Sequence, residues 1–315
     1  MAVSELVESQ HLPNDKPLHL IGIEVNLDPG HLVHHIALYQ STNGGTKCND
    51  RPTSAIYIWN KGQRKKYYLP PDVGMLLADE SPRAGSGLGA PPKAFRLEIH
   101  YENAEKNEHT IDSSGLQLRY TSNLKKFTAG TLEVADPQAK LGLAGVAIGD
   151  GLRQHDFSCP SSCTEKHLSP LGVTVFFSLL HMHQKGLTME IVHLRDGKEI
   201  GVTRVEYFDF AFGGYVDERM YNVLPGDHFL ARCTYNGDPM LKFGVSAKNE
   251  MCMGTMFYYP ASLSAHLMCT IKSDVKECVA HHSTKKVVGT GSLNRTFGVV
   301  AVSQNSSFAH KNMTT

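Results

Sequence analysis

An all-β chain of antiparallel sandwiches is what this sequence predicts, and three observations predict it. Short alternating or β-branched runs recur along the chain. Clusters of Gly, Pro, Asn and Asp separate them, as at Ser41–Gly45, Asp112–Gly115 and Pro225–Asp227. No amphipathic pattern sustains a helix longer than two turns. Strands at this spacing, with turn signals between them, form sandwiches rather than α/β layers. The 315 residues exceed a typical single domain, so two tandem domains are expected.

In chain order, strands are expected over Leu18–Val25, His34–Gln40, Ser54–Trp59, Phe95–Tyr101 and Leu116–Tyr120. The second half adds Val173–Leu180, Met189–Leu194, Phe229–Thr234 and Met256–Tyr259. Between them, Ser81–Pro92 is rich in Gly, Ala and Pro and reads as a surface loop. The change of domain falls within Ala129–Lys140, where Ala-Gly-Thr leads into Ala-Asp-Pro-Gln. That gives a first domain over 1–132, a second over 133–280, and a polar tail over 281–315 that adds little core. No repeat of fixed period is visible.

An apolar fraction of 41% is enough for real cores. The 31 basic and 31 acidic residues balance, with no basic stripe to suit nucleic acid or an anionic membrane. No apolar run reaches the roughly 20 residues of a membrane span. The first ten residues lack the apolar core of a signal peptide. Seven cysteines and the sequons at Asn294, Asn305 and Asn312 point the other way. Clustered cysteines are uncommon in cytosolic chains that hold no metal. The expectation is a secreted, disulfide-bonded protein whose N-terminus is missing or divergent, rather than a set of buried cytosolic thiols.

The chemistry lies in two triads of candidate metal ligands. His34-His35 precede His100, and His181-Met182-His183 precede Met251. Side chains at i and i+2 of a strand share a face, so His181 and His183 can reach one ion. Adjacent strand residues face opposite ways, so His34 and His35 can share an ion only at a strand end or a bulge. The turn Leu27-Asp-Pro-Gly-His just upstream makes room for that. Imidazole suits zinc, copper, iron and nickel alike, whereas a thioether favours copper, above all Cu(I). An all-imidazole site beside an imidazole–thioether site suits two coppers with different tasks. Cys252 lies 19 residues after Cys233, and a bridge there would add about 3 kcal/mol and fix the Met251 backbone. His281-His282 sits in the polar tail and reads as solvated. His19, His31, His109, His155, His167, His193, His228 and His266 show no ligand-type grouping.

Over about residues 15–275 the sequence resembles the ascorbate-dependent type II copper monooxygenases. The carriers in the first half are Leu32-Val-His-His-Ile-Ala-Leu-Tyr-Gln40, Phe95-Arg-Leu-Glu-Ile-His-Tyr-Glu102 and Asp112-Ser-Ser-Gly-Leu-Gln-Leu-Arg-Tyr120. Those in the second are Leu180-His-Met-His-Gln-Lys-Gly186, Pro225-Gly-Asp, Arg232-Cys-Thr-Tyr-Asn236 and Glu250-Met-Cys-Met-Gly-Thr-Met-Phe-Tyr-Tyr-Pro260. The resemblance implies two tandem jelly-roll-like sandwiches, each with one copper, facing across a cleft. By position, His34, His35 and His100 would hold the electron-transfer copper. His181, His183 and Met251 would hold the oxygen-binding one. It further implies ascorbate as reductant, O2 as co-substrate, hydroxylation of a C–H bond of a small substrate, and the secretory pathway. Bridges are implied at Cys233–Cys252, Cys159–Cys269 and Cys163–Cys278. Cys48 has no upstream partner, Gln40-Ser41 stands where a cysteine is common, and the strands before His34 look short or missing.

Departures narrow the branch. The peptide-hydroxylating members carry an Arg where Leu179 stands and an Asn where Met253 stands, and a substrate carboxylate needs such donors. Glu98 and the Asp112–Tyr120 block resemble the dopamine β-monooxygenase-like branch, which implies a phenylethylamine-like amine. Two other readings compete. One is a zinc enzyme on His181, His183 and a third His. The other is a copper-binding module without turnover. Oligomeric state is not legible.

Overall fold

The computed structural model describes residues 2–8, 17–30, 32–41, 54–77, 94–103, 111–136, 146–212, 214–244, 248–261 and 266–287. Cys48, the three sequons and the whole of the Ser81–Pro92 loop lie outside the described residues.

Among the described residues twenty strands follow in chain order. The first ten are β1 (Ala2–Glu8), β2 (Leu18–Asn26), β3 (Val33–Ser41), β4 (Ser54–Asn60), β5 (Lys66–Tyr68), β6 (Val73–Leu77), β7 (Ala94–Tyr101), β8 (Gly115–Thr121), β9 (Phe127–Thr128) and β10 (Gly130–Ala135). The rest are β11 (Gly151–Cys159), β12 (Val173–Met182), β13 (Gly186–Arg195), β14 (Lys198–Val205), β15 (Tyr215–Asp217), β16 (Tyr221–Val223), β17 (His228–Gly237), β18 (Cys252–Tyr259), β19 (His266–Cys269) and β20 (His281–Lys286). One α-helix, α1 (Ser161–His167), follows β11. Every strand expected from sequence is present, most of them a residue or two longer.

Two sheets enclose each main core. In the first half, β1-β7-β3-β4 faces β5-β2-β6-β9, with β8 also on β2. Leu18, Leu20, Ile23, Ile36, Trp59 and Leu77 fill the space between them. In the second half, β15-β12-β18-β10-β19, with β16 on β12, faces β14-β13-β17-β11-β20. Phe157, Phe229, Tyr235, Phe243, Met256 and Tyr258 fill that core. β17 shows why: buried and half-buried side chains alternate along His228–Tyr235, the period-2 signature of a strand with one face on a core. A third apolar cluster joins the halves, setting Leu69 and Val73 against Phe176, Phe177, Leu179 and Phe257.

Three disulfides staple the second half. Cys159–Cys269 and Cys233–Cys252 each run from one sheet to the other, and Cys163–Cys278 ties α1 to the short turn Lys276–Cys278. Constraining the unfolded chain over such separations stabilises by about 3–5 kcal/mol per bridge in the chain-entropy picture.

The structure departs from expectation in four places. β1, a strand that the sequence did not signal, precedes the expected β2. β10 runs through the boundary expected at 132/133, paired with β18 on one side and β19 on the other. The β10–β19 and β6–β9 pairs are parallel, not antiparallel. Finally, His281–Lys286 of the expected tail forms the edge strand β20 on β11. There His282 is not solvated: its Nε2 bonds His155 Nδ1 at 3.0 Å and its ring stacks on Phe157. A run of polar residues gives no sequence signal of pairing, because an edge strand needs only its main chain to join the ladder.

Only Ala129 separates β9, which pairs with β6 of the first half, from β10 in the second. Ala129 is buried and its N–H donates to Gly74 O at 2.8 Å, while Ala261 N–H donates to Thr128 O at 2.7 Å.

Candidate metal centres

The first histidine group is made by a bulge. β3 pairs with β7 as Val33↔Tyr101 and then His35↔His100, so His34 is the extra residue. A bulge bends the strand and re-aims its side chains, and here it turns His34 toward the face of its neighbour. His34, His35 and His100 each offer a ligand atom within 4.8 Å of the others, with His34 buried and the other two half-buried. The His34 and His35 Nδ1 atoms face each other at 3.2 Å. An ion bound at about 2 Å from each nitrogen needs donors about 3–4 Å apart, so three neutral imidazoles at this spacing fit one transition-metal ion.

The second group sits where β12 ends. His181 and His183 point the same way, with ring centroids 5.1 Å apart. His183 Nδ1 donates to Asn249 O at 3.0 Å, which leaves Nε2 for a metal. The Glu250 carboxylate fixes the turn: Oε2 accepts the His183 N–H at 3.1 Å and Oε1 the Lys185 N–H at 2.6 Å. β12 and β18 pair as His181↔Met253 and Met182↔Cys252, where the ladder ends, so His183 and Met251 are the residues just beyond it on the two strands. Met251 is held through its backbone. Its carbonyl accepts from Tyr235 Oη at 2.6 Å, and the next residue donates its N–H to Asp136 at 2.8 Å. The Cys233–Cys252 bridge adds a covalent tie at that residue. A half-buried thioether on a pinned backbone suits a soft ion.

The two groups face each other. The Phe210 ring packs on His34 at 5.4 Å between centroids and on His183 at 5.6 Å. Leu179 is buried among apolar neighbours on the same side of β12.

Burial first, then neighbouring imidazoles, pushes His35 and His183 down to about 3 from the ordinary 6.5, and burial also lowers His100. Such histidines stay neutral, the state that ligates metal. Burial lowers five further histidines, His19, His155, His193, His228 and His282. The unfolded chain takes up protons near pH 6.5, whereas the folded chain excludes them until lower pH. The stability these groups supply is therefore whole above pH 6.5 and is lost as pH falls toward about 3. Glu250 opposes this, since burial raises its carboxyl to about 7 and the folded state then holds a proton that the unfolded state releases near 4.5. Burial raises Glu133 in the same direction, but two such groups do not offset eight. Metal-free protein is expected to melt at lower temperature at pH 5 than at pH 7, and an unchanged or higher melting temperature would contradict the burial of these histidines.

Sequence reasoning singled out neither Glu250 nor Phe210. Glu250 stands next to Met251, but nothing in a sequence reports that a carboxylate is buried and bonded to main-chain N–H groups. Phe210 lies in a stretch without periodicity, and only the folded chain reveals its two neighbours.

Residues 145–285 match the C-terminal domain of the copper type II ascorbate-dependent monooxygenases. The chain is 33% identical over 272 residues to human DBH-like monooxygenase protein 1, an alignment covering 77% of this chain and 42% of that protein. It is 29% identical over 279 residues to dog dopamine beta-hydroxylase, with 79% and 42% covered. To the tyramine beta-hydroxylase of Caenorhabditis briggsae it is 29% identical over 266 residues, with 78% and 43% covered. The chain thus spans about two fifths of the length of these relatives.

Proposed function

The chain belongs to the copper type II ascorbate-dependent monooxygenase family, and from that premise we propose that it binds two copper ions and hydroxylates a C–H bond of a small amine with O2 and ascorbate. The observation that carries the reading is the bulge at His34, which converges three imidazoles opposite the His181–His183 pair. His34, His35 and His100 form the electron-storing site, where three nitrogen donors tolerate both copper oxidation states. His181, His183 and Met251 form the site for O2. When bound, copper supplies the one-electron chemistry that activates O2, and the protein's residues do the rest. They hold the His35 and His183 rings neutral, fix the ring of His183 through Asn249, and keep an apolar wall at Leu179 and Phe210.

The substrate is a phenylethylamine-like amine. Leu179 supports this by offering a carboxylate nothing to pair with, and relatives named for dopamine and tyramine hydroxylation support it by their likeness. The two halves, meeting at Ala129, act as the two copper domains. No helix among the described residues is long and apolar enough to cross a membrane. Three disulfides favour an oxidising compartment, hence the secretory pathway.

The test is copper stoichiometry together with ascorbate-dependent O2 uptake across a panel of phenylethylamines. Two coppers per chain and uptake matched by a β-hydroxylated product are expected. Two coppers without coupled uptake would favour a binding module, and zinc retained in place of copper would overturn the assignment.

A further inference from the structure

We propose that Phe210 is a spacer whose side-chain volume sets the distance between the two metal sites; the proposal rests on the two-copper reading above. The ring touches one imidazole from each group, His34 at 5.4 Å and His183 at 5.6 Å between centroids. Both lie within the packing range of aromatic rings, about 4.5–7 Å.

The ring is held there from both halves. On one side, β15 begins a few residues later and pairs with β12 as Leu180↔Tyr215, anchoring the segment to the strand that carries His181. Asp209 closes the turn, its side chain accepting the Ala211 N–H at 2.8 Å and its carbonyl the Phe212 N–H at 3.0 Å. On the other side lies the turn that follows β4. Lys61 N–H donates to His34 O at 2.9 Å, and Gln63 Nε2 donates to Gly214 O at 3.5 Å. Arg64 pairs with Glu218. Gly62, at φ +90°, lies under the Phe212 ring, where an added Cβ would stand 3.1 Å from Cδ1. The turn that grips His34 and the segment that carries Phe210 are thus one assembly.

The separation of the sites therefore depends on a half-buried side chain between two imidazoles as well as on the backbone. A smaller side chain lets the imidazoles approach, and a larger one drives them apart. Phe210 acts through His34 and His183, so it is a positioning residue.

The test uses the full chain loaded with Cu(II), reading copper stoichiometry and the dipolar broadening between the two ions by electron paramagnetic resonance. Phe210→Ala is expected to keep two coppers and strengthen the coupling, and Phe210→Trp to weaken it. Tyr207→Ala, at a ring 52% exposed three residues upstream, should match wild type. A role confined to folding would not give shifts of opposite sign. If Phe210→Ala fails to fold, Phe210→Trp carries the test alone. Two coppers with the same coupling in every folded variant would overturn the spacer and leave the two-copper reading standing. Fewer than two coppers in the wild type would overturn that reading and the spacer with it.

Discussion

Met251→Ala is expected to abolish product-coupled O2 consumption while one copper per chain stays bound. The thioether is the soft donor of the second site, and its loss leaves His181 and His183 with no sulfur to favour the reduced ion. Residues that merely support a metal ligand cost about 10–100-fold in affinity or activity when removed, and loss of a ligand exceeds that. The first group draws on β3 and β7 alone, so its copper should remain. A nearby thioether sharpens the test. Met253 pairs directly with His181 and is half-buried, so it is the side chain best placed to replace Met251. Met253→Ala should therefore keep both coppers. If Met251→Ala turns over normally and Met253→Ala does not, the ligand has been assigned to the wrong methionine.

Glu250→Ala should be nearly as severe by a different route. Its carboxylate is 1% exposed and accepts main-chain N–H groups from His183 and Lys185. Stranding the buried His183 donor alone costs about 1–3 kcal/mol. The turn carrying His183 would then loosen against the loop carrying Met251. Copper affinity at the second site is expected to fall about 10–100-fold with the first site unchanged. Glu250→Gln should fall between, because an amide offers one oxygen where two N–H groups need acceptors. Titration with copper under anaerobic, reducing conditions separates the sites. Equal weakening of both would show that Glu250 supports the fold at large rather than this turn.

Much of this was legible in the sequence, for reasons that particular residues make plain. The strand under His181 and His183 announces itself through Val173–Leu180, a β-branched and aromatic run that holds whatever it packs against. The same holds for β17, whose alternation survives intact. The pairing of His34 with His35 was legible only as a condition, a bulge or a strand end, and the register of β3 against β7 supplies the bulge. β10 was hidden because it is buried along its whole length and so lacks alternation, and its Ala-Gly start resembles a linker. β20 was hidden for the opposite reason, since every side chain but His282 is exposed and the strand joins the sheet through its backbone. Contacts across the two halves, such as Gln63 with Gly214 and Phe210 with both histidine groups, join positions far apart in sequence. No local pattern encodes them.

The lone residue between β9 and β10 has a mechanical consequence. A crossing of one buried alanine, with main-chain hydrogen bonds on either side, has no slack to pay out. Pulling the halves apart would break ladder bonds at once, whereas tilting them strains only a few torsions. The joint therefore resists tension and yields to torque. Any change in the gap between the histidine groups must be an angular one, with β3 and β12 as lever arms and Ala129 near the fulcrum.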